Sequence, residues 1–177
     1  KRFGKKHNPE LRKQFASEEE KLLIHVSNFR KVKRIEDVLS VFRKLKMQMP
    51  AKLLLVGDGP ERPALEVLSR EWGIGADVKF LGKQDLVEDL LSVSDLFLLP
   101  SEHESFGLAA LEAMACEVPV IASNIGGLNE VILNGKSGYT CPVGDVDYMT
   151  RMALHVLGDP HTHAVFRKFA IARARDF

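Results

Sequence analysis

Six short runs of apolar residues recur along this chain, at 22–26, 52–56, 78–81, 95–99, 118–122 and 138–141. Between them lie segments whose apolar residues fall three and four apart, as in Ile35, Val38, Leu39, Phe42 and Leu45. The short runs have strand length and the intervening segments have helical period. A strand that is apolar throughout must be covered on both faces, which is the condition of a parallel sheet with helices on either side. The pattern therefore predicts an α/β fold, a doubly wound parallel sheet. In the usual strand order, 3-2-1-4-5-6, the chain reverses direction between the first and fourth strands. Ligands of such folds bind outside the carboxyl ends of those two strands, here the stretches 27–33 and 100–107.

At 177 residues and 45% hydrophobic content the chain has material for one such core. Residues 1–21 are charged, hold Pro9, and read as a linker with a short helix at 10–15. Its Lys1, Arg2, Lys5 and Lys6 are expected to form a solvated face. Residues 22–160 form the α/β domain, and 161–177 a truncated C-terminal helix with Val165, Phe166 and Phe169 on one side. The chain opens on Lys-Arg and stops without a helix stop signal, so a piece of a longer protein is expected. Twenty-five Lys and Arg against 24 Asp and Glu leave a net charge of +1, with no field to recruit nucleic acid or an anionic membrane. Two distant cysteines, no signal peptide and no long apolar span point to a reducing, cytoplasmic setting.

The stretch 100–119 carries the chemistry. An apolar strand feeds a helix expected to start at Ser105, with Phe106 and Gly107 in its first turn. Exposed N–H groups and the helix dipole make that turn a seat for an anion. Glu104 stands just before it, and Glu112, farther along, leans back toward it. Across the switch point, Arg30, Lys31, Lys33 and Arg34 share one loop and are candidates to complete a phosphate or diphosphate site. The plainer alternative is a solvated loop facing a surface glutamate.

Other signals are weaker. His25 reads as a satisfied core histidine, and Asp145 and Asp147 as a helix cap rather than a metal pair. Gly57-Asp58-Gly59-Pro60 reads first as a turn and cap, lacking the lysine of a phosphate loop. His161 and His163 fall in a turn after a helix and have no metal-like companions. Gly126-Gly127 has two readings, a second concavity of backbone N–H groups or a plain turn. No nucleophile elbow is present, so covalent hydrolysis is not indicated.

At E-S-F-G-L-A-A-L-E-A-M-A-C-E-V-P-V-I-A the sequence resembles the donor-binding half of family 4 glycosyltransferases, which carry Glu, seven residues, then Glu. The likeness runs from about 22 to 157, through K-L-L-L-V-G-D-G-P, V-K-F-L-G, S-D-L-F-L-L-P-S and I-G-G-L-N-E-V-I. Through H-V-S-N-F-R-K-V-K-R and F-L-G-K-Q-D it is similar to a bacterial branch that glycosylates malate in bacillithiol synthesis. The resemblance implies the Rossmann-like C-terminal half of a GT-B enzyme, whose missing N-terminal domain holds the acceptor. It implies a UDP-sugar donor, UDP-N-acetylglucosamine in that branch, and transfer with retention and without metal or other cofactor. It also implies roles: Glu104 on the sugar hydroxyls and Lys33 on the leaving diphosphate, as catalytic residues. Donor contacts fall to Asn28, Arg30, Gly82, Lys83, Ser105, Phe106, Gly107, Leu108 and Glu112. Asn28 stands where the family usually has arginine, with Arg30 as the candidate substitute, and Cys116 precedes Glu-Val-Pro where glycine is common. A UDP-sugar epimerase of the same fold and a noncatalytic binding module are the alternatives. The oligomeric state stays open.

Overall fold

A computed structural model describes residues 3–177, so Lys1 and Arg2 of the leading segment lie outside the described residues. The strands are β1 (Lys21–Val26), β2 (Ala51–Val56), β3 (Val78–Gly82), β4 (Leu96–Leu99), β5 (Val120–Ser123) and β6 (Gly138–Cys141). They form one sheet in the order β3-β2-β1-β4-β5-β6, and every pairing is parallel. This is the order expected from the sequence. The helices are α1 (Pro9–Lys13), α2 (Ile35–Lys46), α3 (Arg62–Glu71), α4 (Val87–Ser92), α5 (Leu108–Ala115), α6 (Leu128–Val131), α7 (Val146–Leu157) and α8 (Pro160–Ala174).

The alternation of strand residues explains why the strands had to be apolar throughout. Leu23, Leu53, Leu55, Leu96 and Leu98 enter one core, closed by Val38 and Phe42 of α2 and by Met149 and Ala153 of α7. Leu22, Ile24, Leu54, Val56, Phe97 and Leu99 enter the other, closed by Leu91 of α4 and by Ala110, Ala113 and Met114 of α5. Among the described residues no helix is long and apolar enough to cross a membrane. Cys116 and Cys141 are both free and buried.

Three expectations change. The basic residues of the leading segment are not a free solvated face: Lys6 pairs with Glu88 at 3.1 Å and Asp89 at 2.8 Å, both on α4. Arg12 donates to the Val93 carbonyl at 2.6 Å and to Asp95 at 3.0 Å. Three donors from distant parts of the chain meet Asp95 at the amino end of β4. Its carboxylate accepts from Arg12 and from the Leu22 N–H at 2.8 Å, while its carbonyl accepts from His163 Nε2 at 2.8 Å and its neighbourhood closes through Arg12 on Glu20. His161 and His163 thus lie in the first turn of α8 rather than in a turn after a helix, capped by Asp159. On α8 the buried face carries Phe166 and Ala170, while Val165 and Phe169 are 37% and 41% exposed. Residues four apart share a face, and 165 and 169 form the stripe beside the buried one.

Among the described residues, His25 is the one histidine, carboxylate, lysine or arginine that is buried. Its Nδ1–H donates to the Leu98 carbonyl at 2.7 Å, and its Nε2 accepts from the Ser27 hydroxyl at 2.7 Å. Both ring nitrogens are satisfied, as expected of a core histidine. Burial pushes its pKa down to about 4, outweighing the help that the Leu98 carbonyl gives to the charged form. The unfolded chain therefore takes up this proton at a higher pH than the folded one. Stability from this group is present above the unfolded value of about 6.5 and is lost as pH falls toward 4. Urea unfolding should show about 2 kcal/mol lost between pH 7 and pH 5 through His25. His25→Gln should remove that component of the slope while lowering stability at pH 7.

Candidate functional site

At the switch point the carboxyl ends of β1 and β4 lead into two loops that are stitched together. The first loop, 27–34, is held by a buried aromatic anchor and by backbone. The Phe29 side chain is fully buried. Its N–H donates to the Asp58 carbonyl at 2.9 Å, and its own carbonyl accepts from the Glu61 N–H at 3.0 Å. A Cβ on Gly57 would lie 1.8 Å from the Ser27 carbonyl oxygen, and one on Gly59 would lie 2.7–2.9 Å from the Phe29 backbone. Both glycines also have positive φ, +127° and +159°. The Gly57-Asp58-Gly59 turn is therefore the surface against which the cation loop is pressed. Glycine is required because a second backbone takes the place of the side chain.

The second loop follows β4. Its Glu102 N–H donates to the Val32 carbonyl at 2.8 Å. Arg34, at a left-handed φ of 51°, donates to Asp37 at 2.7 Å and to Glu102 at 2.8 Å. Beside this clasp, Lys33 Nζ meets Glu104 Oε1 at 2.7 Å, and the buried Ser101 hydroxyl donates to the same oxygen at 3.0 Å. The side chains of Lys33 and Glu104 are 19% and 15% exposed, so the pair is shielded but open to a ligand on one side.

The four loop cations thus have different positions. Lys33 faces Glu104 across the switch point, a pairing that the sequence reading did not foresee. Arg34 is committed to the clasp. Arg30 and Lys31 are exposed and line a hollow of about 290 Å³ against Ala64 and Leu65 of α3. Asn28 is exposed on the same loop.

The helix start differs from expectation. α5 begins at Leu108 with Gly107 as N-cap, at φ 83°, so Ser105 is not the cap. Ser105, Phe106 and Gly107 form the approach to the helix instead of its first turn. Gly107 cannot carry a side chain, since a Cβ would sit 2.6 Å from Leu128. The approach is backed by Gly126 and Gly127, whose Cβ positions would fall 2.3 Å from the Glu104 carbonyl oxygen and 2.6 Å from the Phe106 Cα. Of the two readings of Gly126-Gly127, the structure shows the turn, which also serves as a close backbone support for the 104–107 loop. The N–H groups that open α5 have no acceptor within the helix. Leu108 is exposed at that end and Phe106 lies edge-on to Phe177, ring centres 5.8 Å apart.

Glu112 stands one turn into α5, about 6 Å along the axis from Leu108. It lines a hollow of about 470 Å³ with Leu108, Leu111 and Ala115 of α5 and with Ile171 and Phe177. The structure therefore joins Lys33 to Glu104 directly, whereas Glu112 lies on α5 in a hollow shared with α8 and the leading segment. Gly82 and Lys83 sit farther out, at the carboxyl end of β3, where the Gly82 carbonyl accepts from the Gly57 N–H at 2.8 Å. Asp145 caps α7 through the Tyr148 N–H at 3.0 Å, the capping role expected of it.

Residues 7–173 match the family Glycosyl transferases group 1. The chain belongs to that family. Over 162 residues it is 51% identical to N-acetyl-alpha-D-glucosaminyl L-malate synthase of Bacillus anthracis, covering 91% of this chain and 42% of that protein. Against Anabaena HepE in complex with UDP and glucose it has a TM-score of 0.86 and 25% identity, covering 96% of this chain and 48% of that one. The C-terminal domain of LpcC from Francisella tularensis, 18% identical and matched in fold alone, gives a TM-score of 0.85 with 98% and 94% covered. The chain thus spans less than half the length of the curated relatives it matches and nearly all of a domain crystallised by itself. The GT-B likeness of this glycosyltransferase domain agrees with the sequence reading. The epimerase alternative finds no support in these comparisons.

Sequence reasoning missed Ser101, Phe29 and the Arg34–Glu102 clasp. Ser101 had a local signal, its spacing of three from Glu104; the other two depend on contacts between distant loops. Gly127 offers a clean test of loop support, because its φ is −65°, ordinary for any residue. Gly127→Ala should cost about 1–3 kcal/mol in chemical unfolding, through crowding of the Ser105 and Phe106 backbone.

Proposed function

We propose that this glycosyltransferase domain is the donor half of a cytoplasmic enzyme that moves N-acetylglucosamine from UDP-N-acetylglucosamine to L-malate, with retention and without metal, in bacillithiol synthesis. The reading rests on one observation above others. Lys33 and Glu104 meet across the switch point in a chain 51% identical to a malate synthase over 162 residues. The acceptor belongs to a further domain of the same protein, consistent with the 42% coverage of that relative.

In this reading the glycosidic bond breaks toward the diphosphate, and the task of the domain is to stabilise the charge that develops there. Lys33 and the N–H groups opening α5 supply it from two sides. Glu104 takes sugar hydroxyls, and Ser105, Phe106, Gly107 and Leu108 form the wall over which diphosphate and sugar lie. Glu112 takes the ribose hydroxyls, and Gly82 and Lys83 the uracil. Arg30, exposed and in no ion pair among the described residues, is the cation available to offset the loss at Asn28.

Calorimetric titration of the domain with UDP and UDP-N-acetylglucosamine tests this. Both should bind. Lys33→Ala should weaken each by about tenfold or more, the scale of a charge-assisted hydrogen bond, and Glu112→Ala should also weaken both. No heat at millimolar nucleotide, or affinities indifferent to both substitutions, would sink the assignment and favour a noncatalytic module that keeps the fold for another partner.

A further inference from the structure

The carboxylate of Glu104 is held by one oxygen. Oε1 accepts from Lys33 at 2.7 Å and from Ser101 at 3.0 Å, while Oε2 accepts no hydrogen bond from the described residues. The two holders differ in kind. Lys33 carries its ammonium on a flexible four-carbon stem and, in the function proposed above, has a second duty toward the diphosphate. Ser101 has none. Its side chain is fully buried, and Glu104 is its hydroxyl's acceptor. Its backbone is fixed from both directions, by Pro100 at the end of β4 and by the Glu102 N–H bonded to the Val32 carbonyl at 2.8 Å.

A carboxylate shared between a mobile and a fixed donor keeps its orientation when the mobile donor leaves. We propose that Ser101 is the positioning residue of Glu104. Its buried hydroxyl keeps Oε1 in place when Lys33 turns to the diphosphate, so that Oε2 stays directed at a hydroxyl of the donor sugar. Ser101 itself touches neither substrate nor reacting atoms. This assigns a specificity role to a residue whose hydroxyl would otherwise count only as a satisfied core group. It rests on the donor-binding reading.

The test is a pair of titrations, with UDP and with UDP-N-acetylglucosamine, on the wild-type domain, Ser101→Ala, Glu104→Ala and the double variant. Ser101→Ala should weaken the sugar nucleotide by about tenfold, the scale of one hydrogen bond to a charged group, while leaving UDP within about twofold. In the Glu104→Ala background the same substitution should change neither ligand, because no carboxylate is left to orient. Equal loss for both ligands, or a loss that persists without Glu104, would mark Ser101 as a packing residue and overturn the proposal. If Ser101→Ala lowers the thermal midpoint enough to prevent titration, Ser101→Cys keeps a weaker donor. It should show an intermediate loss for the sugar nucleotide alone, and an equal loss for both would again overturn it. Absence of binding by the wild-type domain is a different failure, that of the donor reading, and takes this proposal with it.

Discussion

Two backbones in contact, Ser27 to Phe29 against Gly57 to Gly59, set the position of everything on the carboxyl edge of the sheet. A Cβ at Gly57 would fall 1.8 Å from a carbonyl oxygen of the facing loop. No side-chain adjustment absorbs such an approach, because both partners are main chain. With Phe29 driven into the core beneath, the loop is held by main chain and side chain alike, and its short 3-10 turn at Lys31–Lys33 brings Lys33 to Glu104. The turn after β2 thus serves the switch point between β1 and β4 from one strand away.

A rigid loop also settles the electrostatics. Lys33 and Glu104 are each mostly shielded from water, where a lone charge is costly and a pair is tolerated. Such a pair adds little to stability on balance, since desolvation offsets much of the attraction. Its value lies in geometry. In the function proposed, each partner holds the other where a sugar nucleotide, with both anionic and hydroxyl groups, would offer each a replacement. The Arg34–Glu102 pair beside it is more exposed and has a different task, joining the two loops.

How much of this was readable in the sequence follows from what each signal reports. Apolar runs report burial, and burial on both faces has few solutions, so the sheet, its parallel pairing and its switch point were legible. The strand order came from the commonest arrangement and agreed with the structure. The start of α5 was not legible, because Ser105 has a good capping side chain and Gly107 does not. The choice was made by Leu128 and Gly127, which press on the approach and force the left-handed turn onto the only residue without a Cβ. Tertiary packing overrode local preference there.

The candidate site was legible as composition and not as arrangement. Four cations in one loop predicted positive charge at the cleft, yet Lys33 and Glu104 are 71 residues apart, and nothing local says which cation crosses to which carboxylate. Arg34 is removed from consideration by Asp37, three residues on, and by Glu102, 68 residues on. The glycines were legible to the same extent. Gly57, Gly59, Gly126 and Gly127 read as turn residues, and what the sequence did not show is that all four also admit another stretch of this chain. A glycine in a loop reports that something comes close. Whether a ligand or a second loop does so depends on the fold, and here the second loop comes first, because the cation and carboxylate can meet only after their loops have been packed.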